Sequence, residues 1–389
     1  MRVARRICVV TGSRAEYGLL YWVLHDLRAA EGVELQLVVT GMHLSPEFGL
    51  TVREIEKDGF AIDERVEMLV SSDTPGGIAQ SMALGLIGFS GALQRLAPDI
   101  VLVLGDRFEM LAVAQACLVH RVPLAHIAGG DTTEGAFDES IRHAITKMAH
   151  LHLVTHESSA QRVRQLGEDP AHVHVVGSPG LDHLRRRPLL ERAALEASLG
   201  APLGGRNLLV TFHPVTLDAD AGRAEFEELL AALDAQPAET TIWFTHPNAD
   251  TGGRGLIARL SGWAAERPGR VHAHASLGQQ RYLSLMAQSD AVVGNSSSGL
   301  YEAPSLGVAT VNIGERQRGR LAAASVLHCE PRREAIAAAI SRAVDLHCAG
   351  VVNPYGDGRS APRIVGHLLA LPDPQALLHK HFHRIESLP

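Results

Sequence analysis

Residues 100–109 read IVLVLGDRFE, five apolar residues without a polar interruption, then a glycine, then charge. A short apolar run that does not alternate with polar residues is the pattern of a strand covered on both faces, as parallel strands are. The same pattern recurs at Ile7–Thr11, Glu34–Thr40, Leu124–Ala128, Leu151–Thr155 and Val173–Val176. Helical patterns fall between these runs, near 15–29, 77–97, 107–119, 138–149 and 157–166. Strand and helix alternating in this way predict a doubly wound α/β domain.

A second series follows Pro188, with strands expected at Leu208–Phe212, Thr240–Thr245, Val271–Ala275, Ala291–Val293, Ala309–Ile313 and Val326–Cys329. Helices fit 222–235, 254–265, 278–288, 298–306 and 333–346, and one more fits Ser360–Leu371. The expected division is therefore an N-terminal domain over 1–180, a similar C-terminal domain over 181–370, and a tail over 371–389. A length of 389 agrees, since domains average about 150 residues.

Composition bounds what such a protein does. With 46% apolar residues, 37 glycines and 19 prolines the chain is globular in type. Lys and Arg number 36 against 43 acids, a net charge of −7, which excludes the basic footprint of a dedicated nucleic-acid binder. Cys8, Cys117, Cys329 and Cys348 lie far apart in or beside apolar runs, as buried free thiols do, and this suits a reducing cytoplasm. The apolar stretch at Ile7–Val10 is too short for a secretory leader, and no run of 18 apolar residues offers a membrane span.

In a doubly wound sheet, ligands lie beyond the carboxyl ends of the strands, so the residues just after each strand carry the chemistry. The first is Thr11-Gly12-Ser13-Arg14-Ala15-Glu16, a glycine turn into a helix with an arginine beside it. It is not GxGxxG, and no acid ends the second strand, so no dinucleotide cofactor is expected. The third strand ends in Asp106 and Arg107. Beyond the fourth, four carboxylates (Asp131, Glu134, Asp138, Glu139) and two histidines (His126, His143) crowd a loop and the first turns of a helix. Crowded carboxylates push one another's pKa upward, which lets an acid and a base coexist near neutrality.

The second half offers His213-Pro214 and His246-Pro247 at two strand ends, and then Gly294-Asn295-Ser296-Ser297-Ser298-Gly299 opening a helix. Hydroxyls and free N–H groups at a helix start suit a phosphate. Glu302, one turn on, can accept both hydroxyls of a ribose, and Arg316, Arg318 and Arg320 supply cations for a diphosphate. Three decoys are set aside: Asp218 with Asp220, His272 with His274, and His379, His381 and His383. No metal site is expected.

These motifs, TGSRAEYGLL, VTGMHLSPEFG, GDRFE, TTEGAFDESIRHAITKM, FHPVT, PNADTGG, GNSSSGLYEAP and NIGERQRGR among them, resemble the hydrolysing UDP-N-acetylglucosamine 2-epimerases of sialic and legionaminic acid synthesis. The likeness runs from about residue 5 to about residue 370. It implies a GT-B fold, with two Rossmann-like domains, a sugar nucleotide held in an interdomain cleft, and a C-terminal helix crossing back. It places UDP contacts on Arg14, Arg107, His213, Asn248, Ser296, Ser297, Glu302 and Arg316, and catalytic acids on Asp106 and Asp138. It also implies a homodimer or homotetramer.

One position departs from the pattern: Ala128 stands where some members carry a catalytic Glu, and the neighbouring acid is Asp131. The expected reaction is loss of UDP from C1 with loss of the C2 proton, then addition of water. Asp106 and Asp131 are assigned to proton transfer, Asp138 to orientation or water activation, and His213 to phosphate contact ahead of a role as base. Two substrates fit, UDP-GlcNAc and UDP-2,4-diacetamido-2,4,6-trideoxyglucose. A non-hydrolysing epimerase, a GT-B glycosyltransferase and a non-catalytic nucleotide-sugar sensor are the alternatives.

Overall fold

Ile100–Leu104 is a strand with all five side chains buried, Ile100, Leu102 and Leu104 against one helical layer and Val101 and Val103 against the other. That two-sided burial is the reason its sequence shows no alternation. The computed structural model describes residues 4–72, 74–132, 137–214, 222–246 and 253–385. The chain divides into two compact units, Met1–His183 with Tyr355–Pro389, and Leu184–Pro354.

The first unit carries β1 (Arg5–Thr11), α1 (Arg14–Ala29), β2 (Val33–Thr40), α2 (Val52–Lys57), β3 (Glu64–Val66), α3 (Pro75–Leu96) and β4 (Ile100–Leu104). It continues with α4 (Phe108–His120), β5 (Leu124–Ile127), α5 (Asp138–Met148), β6 (Leu151–Val154), α6 (Glu157–Gln165) and β7 (Val173–Val175). The seven strands are parallel in the order β3-β2-β1-β4-β5-β6-β7. The order reverses between β1 and β4, where Val9 pairs with Leu37 on one side and Leu102 on the other. Thr11, Gly12, Asp106 and Arg107 stand at this switch point, the usual place for a ligand in such a sheet.

After α7 (Asp182–Arg186), the second unit carries α8 (Arg192–Leu199), β8 (Arg206–Thr211), α9 (Arg223–Asp234), β9 (Thr240–Thr245), α10 (Gly253–Ala265), β10 (Val271–His274) and α11 (Gly278–Ala287). It ends with β11 (Ala291–Gly294), α12 (Ser298–Tyr301), β12 (Ala309–Ile313), β13 (Val326–Cys329) and α13 (Arg333–Val344). Its six strands are again parallel, in the order β10-β9-β8-β11-β12-β13. Leu208, Val210 and Phe212 face one core while Leu209 and Trp243 face the other.

The last helix, α14 (Ser360–Ala370), corrects the expected boundaries, because residues 355–370 belong to the first unit and not to the second. The cause is local. Both carboxylate oxygens of buried Asp182 accept the N–H groups of Ser360 and Ala361 at 2.8 Å, capping α14 from a distant point in the sequence. Ile364 and Leu368 then enter the core that contains Leu20 and Leu24 of α1, and Arg5 donates to the Leu368 carbonyl at 2.6 Å. The tail is not free either: Lys380 donates to the Glu168 carboxylate at 2.6 Å and the His383 N–H donates to the Gly167 carbonyl at 2.9 Å.

One further expectation changes. The 22-residue α3 contains a window of mean hydropathy 1.3, and by length and composition it could cross a membrane, the one such helix among the described residues. Its apolar residues are interrupted by Gln80, Ser81, Gly85, Gly88 and Ser90, so they form no unbroken run of 18. Here it packs along α4, with Ser81, Gly85 and Phe89 buried and Leu84 and Ile87 exposed. All four cysteines are free thiols, as expected, and three of them are buried.

Candidate active site

At the switch point of the first unit the β1–α1 turn is closed from within. Ser13 caps α1 by accepting the Glu16 N–H at 3.3 Å, and the Gly12 N–H donates to Glu16 Oε2 at 2.8 Å. The Gly12 N–H is thus occupied by Glu16, whereas Arg14 reaches outward, 3.4 Å from Glu54. Burial, with Glu109 nearby, raises the Glu16 carboxyl to about 7. Beside it His43, fully buried, lies 3.1 Å from Thr11 Oγ1 and 2.8 Å from Thr51 Oγ1, and burial lowers it to about 4, so it stays neutral.

Arg107 is set by a residue two places on. Its Nη2 donates to Glu109 Oε1 at 2.7 Å and its Nε to Oε2 at 3.1 Å. Glu109 is wholly buried in the first turn of α4, and no role for it was assigned from sequence. A signal was present: Glu109 is the single charged residue among the thirteen of FEMLAVAQACLVH.

Asp106 and Asp138 share a neighbourhood. Arg142, on α5, donates Nη2 to Asp106 Oδ2 and Nη1 to the Ala128 carbonyl at 2.9 Å. Asp138 heads α5, and burial together with the charge of Asp106 raises its carboxyl, against the opposing pull of Arg107 and Arg142. Arg142 thus reaches from α5 across to the loop that follows β4. Ala128, the departing position, holds φ +60°, a left-handed conformation uncommon for a residue with a side chain, and offers Arg142 its carbonyl.

Asp131 is bound differently. Its Oδ1 accepts the hydroxyls of Thr155 at 2.5 Å and Ser159 at 2.6 Å, with His156 Nε2 at 3.7 Å. Glu134 lies outside the described residues. The two histidines of this stretch have local partners. His126 packs fully buried, 2.7 Å from the Gly105 carbonyl and 3.2 Å from Thr146 Oγ1, and burial lowers it to about 3. His143 pairs with Glu139 one turn away at 3.1 Å.

The second unit organises its strand ends around a residue the sequence reading did not single out. Asn295, fully buried, accepts the His213 N–H at 2.7 Å and donates to the His213 carbonyl at 2.9 Å. Its own carbonyl accepts Arg316 Nη1 at 3.1 Å and Gln317 Nε2 at 2.8 Å. The preceding Gly294 takes φ +134°, and a Cβ there would lie 2.0 Å from the Thr211 carbonyl oxygen, so β8 and β11 approach this closely only with glycine. Ser296, Ser297, His213 and Arg316 are thereby gathered around one asparagine. Ser296 Oγ accepts the Ser298 hydroxyl at 3.1 Å, and Tyr282 lies 2.6 Å from that hydroxyl. Helix α12 is four residues long, not nine, and passes at Glu302 into a 3₁₀ turn containing Pro304. Burial raises the Glu302 carboxyl to about 8.

Asn248, Asp218 and Asp220 lie outside the described residues. Of the remaining decoys, His272 and His274 stack on Trp243 at 4.4 and 6.0 Å.

Against this geometry the comparisons with known proteins are specific. The family model described as UDP-N-acetylglucosamine 2-epimerase matches residues 25–369. The chain belongs to this family. A Campylobacter jejuni relative named GDP/UDP-N,N'-diacetylbacillosamine 2-epimerase (hydrolyzing) is 40% identical over 84% of each chain. A Legionella pneumophila relative named UDP-N,N'-diacetylbacillosamine 2-epimerase (hydrolyzing) is 34% identical over 97% of this chain and 98% of its own. The crystal structure of UDP-GlcNAc 2-epimerase from Neisseria meningitidis bound to UDP-GlcNAc superposes with a TM-score of 0.78 at 18% identity, over 94% of this chain and 99% of that one, a likeness of fold. The 2-epimerase family is a family of enzymes; the two parallel α/β sheets are those expected from the strand pattern, and the GT-B-like architecture is the one the resemblance implied.

Proposed function

We propose that the protein is a hydrolysing 2-epimerase that converts a UDP-linked N-acetylhexosamine and water into UDP and the free sugar inverted at C2. The observation that carries this reading is the grouping of Asp106 and Arg107, just after β4, with Asp138 and Arg142 of the first turns of α5. The hydrolysing relatives at 40% and 34% identity support it.

The C2 proton of the substrate adjoins no carbonyl and is not acidic, so departure of UDP from C1 has to lead. Arg14, Arg107, Ser296, Ser297, His213 and Arg316 are assigned to the diphosphate, whose charge grows as the C1–O bond breaks, and Glu302 to the ribose. Asp106 accepts the C2 proton. Asp138, whose carboxyl is displaced upward, returns a proton to C2 from the opposite face while water adds at C1. The product therefore gains one water across the double bond of the intermediate glycal, and UDP leaves with the original C1–O oxygen. Asp131, with Oδ1 already taken by two hydroxyls, holds its loop against β6.

The test is to incubate each candidate UDP-sugar with the protein alone and follow the mixture by NMR. Free UDP with a manno-configured reducing sugar supports the assignment. An epimerised UDP-sugar without free UDP supports the non-hydrolysing alternative, and a UDP-sugar that binds but stays unchanged supports a sensor.

A further inference from the structure

In the second unit a chain of hydroxyls leads into the serine turn after β11, and the reaction scheme gives its first member no part. Tyr282, on α11, lies 2.6 Å from Ser298 Oγ at the start of α12, and Ser298 Oγ donates to Ser296 Oγ at 3.1 Å. The Ser298 N–H is directed at the same Ser296 oxygen, at 3.4 Å. The ring of Tyr282 packs on the core that contains Leu209, Trp243 and Leu285, which holds the phenol in place. Thr211, whose hydroxyl lies 2.5 Å from that of Thr245 on the neighbouring strand, flanks the Tyr282 hydroxyl as well.

Counting protons gives the chain a direction. A serine hydroxyl has one proton to donate and two lone pairs that accept. Ser298 directs its proton to Ser296, so in the contact with Tyr282 the phenol is the donor. Burial raises the Tyr282 pKa, and the phenol keeps its proton throughout the neutral range. Ser296 Oγ receives both the hydroxyl and the N–H of Ser298, which engages its two lone pairs. Its own proton is the capacity that remains. A hydroxyl in that state donates, which suits a phosphate oxygen and does not suit a cation or an N–H group. Successive O–H groups pointing the same way also polarise one another and strengthen the last donor.

Resting on the UDP seat proposed above, we infer that Tyr282 is a positioning residue for the diphosphate, acting through Ser298 to hold the Ser296 hydroxyl as a donor to the leaving group. Phenylalanine at this position fills the same space against Leu209 and Trp243 and lacks only the first donor. Ser298 Oγ then has a lone pair to fill, the Ser296 proton turns back to fill it, and the donor is withdrawn from the ligand.

The experiment is a titration of UDP into the native protein, Tyr282→Phe, Ser298→Ala, Ser296→Ala and the double variant Tyr282→Phe/Ser296→Ala, followed by calorimetry. Tyr282→Phe and Ser298→Ala are each expected to weaken UDP by about three- to tenfold, the scale of one hydrogen bond. In the Ser296→Ala background, Tyr282→Phe should change the affinity by less than about twofold, because the group it positions is gone. With a UDP-sugar, the Tyr282→Phe loss should fall on kcat more than on KM, since charge on the diphosphate grows as the C1–O bond breaks. An equal loss in the two backgrounds makes Tyr282 a packing residue and overturns the inference. Unchanged UDP affinity in both Tyr282→Phe and Ser298→Ala, or a turnover defect confined to KM, overturns it too. A UDP-sugar that stays intact while the UDP titrations follow the expected pattern overturns the activity and leaves this inference standing. Native protein that binds no UDP overturns both.

Discussion

Arg107 and Glu109, two residues apart in the chain, form a two-point ion pair in which the carboxylate is wholly buried and the guanidinium remains one-third exposed. The arrangement fixes a cation at the mouth of the switch point before any ligand arrives. Glu109→Gln is expected to keep the fold but let Arg107 swing, lowering kcat/KM by about 10- to 100-fold, as small misplacements of positioning groups do. Steady-state kinetics beside a thermal melt separate this from simple unfolding. Unchanged kinetics would remove Glu109 from the positioning of Arg107.

Asp106→Asn should leave UDP binding within about threefold of native, a difference of roughly 0.7 kcal/mol. It should lower UDP release from the sugar nucleotide by about 10²- to 10⁴-fold, the usual contribution of a proton-transfer group. Titration calorimetry with UDP and a UDP-release assay give the two numbers. Loss of both together would make Asp106 a structural residue.

Stability should fall as pH rises through the raised carboxyls. The folded protein holds the Glu302 proton up to about 8, against an unfolded value near 4.5, so the folded state is favoured fully below pH 4.5 and loses that advantage by pH 8. Glu302→Gln removes the ionising group. Chemical denaturation should show the variant gaining on the order of 2–4 kcal/mol relative to native at pH 8.5 compared with pH 5. Parallel curves for the two proteins would contradict the buried, raised carboxyl.

Much of the fold was legible because parallel strands covered on both faces have to be apolar throughout, as Ile100–Leu104 and Leu208–Thr211 are. The edge strand β3, three residues reading ERV, has one buried side chain and carries no such mark. Helix α12 was read as too long because Pro304 sits where a helix and a 3₁₀ turn share the same local pattern. In the site, the acids were visible but their partners were not. Asp106 finds Arg142 across 36 residues and Asp131 finds Ser159 across 28, distances that only the register of the strands sets. The docking of α14 was legible only through the resemblance, as a C-terminal helix crossing back, and not in the residues themselves, since its cap, Asp182, lies 178 residues before Ser360.

The tail should loosen in acid. Burial pushes the Glu168 carboxyl up, but hydrogen bonds from His152, Lys147 and Lys380 outweigh it and hold the group at about 2. Its contribution is therefore present above pH 4.5 and lost as pH falls toward 2. Glu168→Gln should reproduce the acid effect at pH 7, with protease cleavage near Lys380 becoming faster and stability falling by about 2–4 kcal/mol, because the buried ion pairs lose their shared anion. Equal cleavage rates in native and variant protein would show that Glu168 does not hold the tail.

The most direct test of the central claim is the reaction run in D₂O with the UDP-sugar and the protein alone, followed by NMR at C1 and C2. Elimination followed by hydration predicts free UDP, a manno-configured reducing sugar, and one deuterium at C2 of every product molecule. A gluco-configured sugar that keeps its original C2 hydrogen would mean plain hydrolysis and would contradict the account.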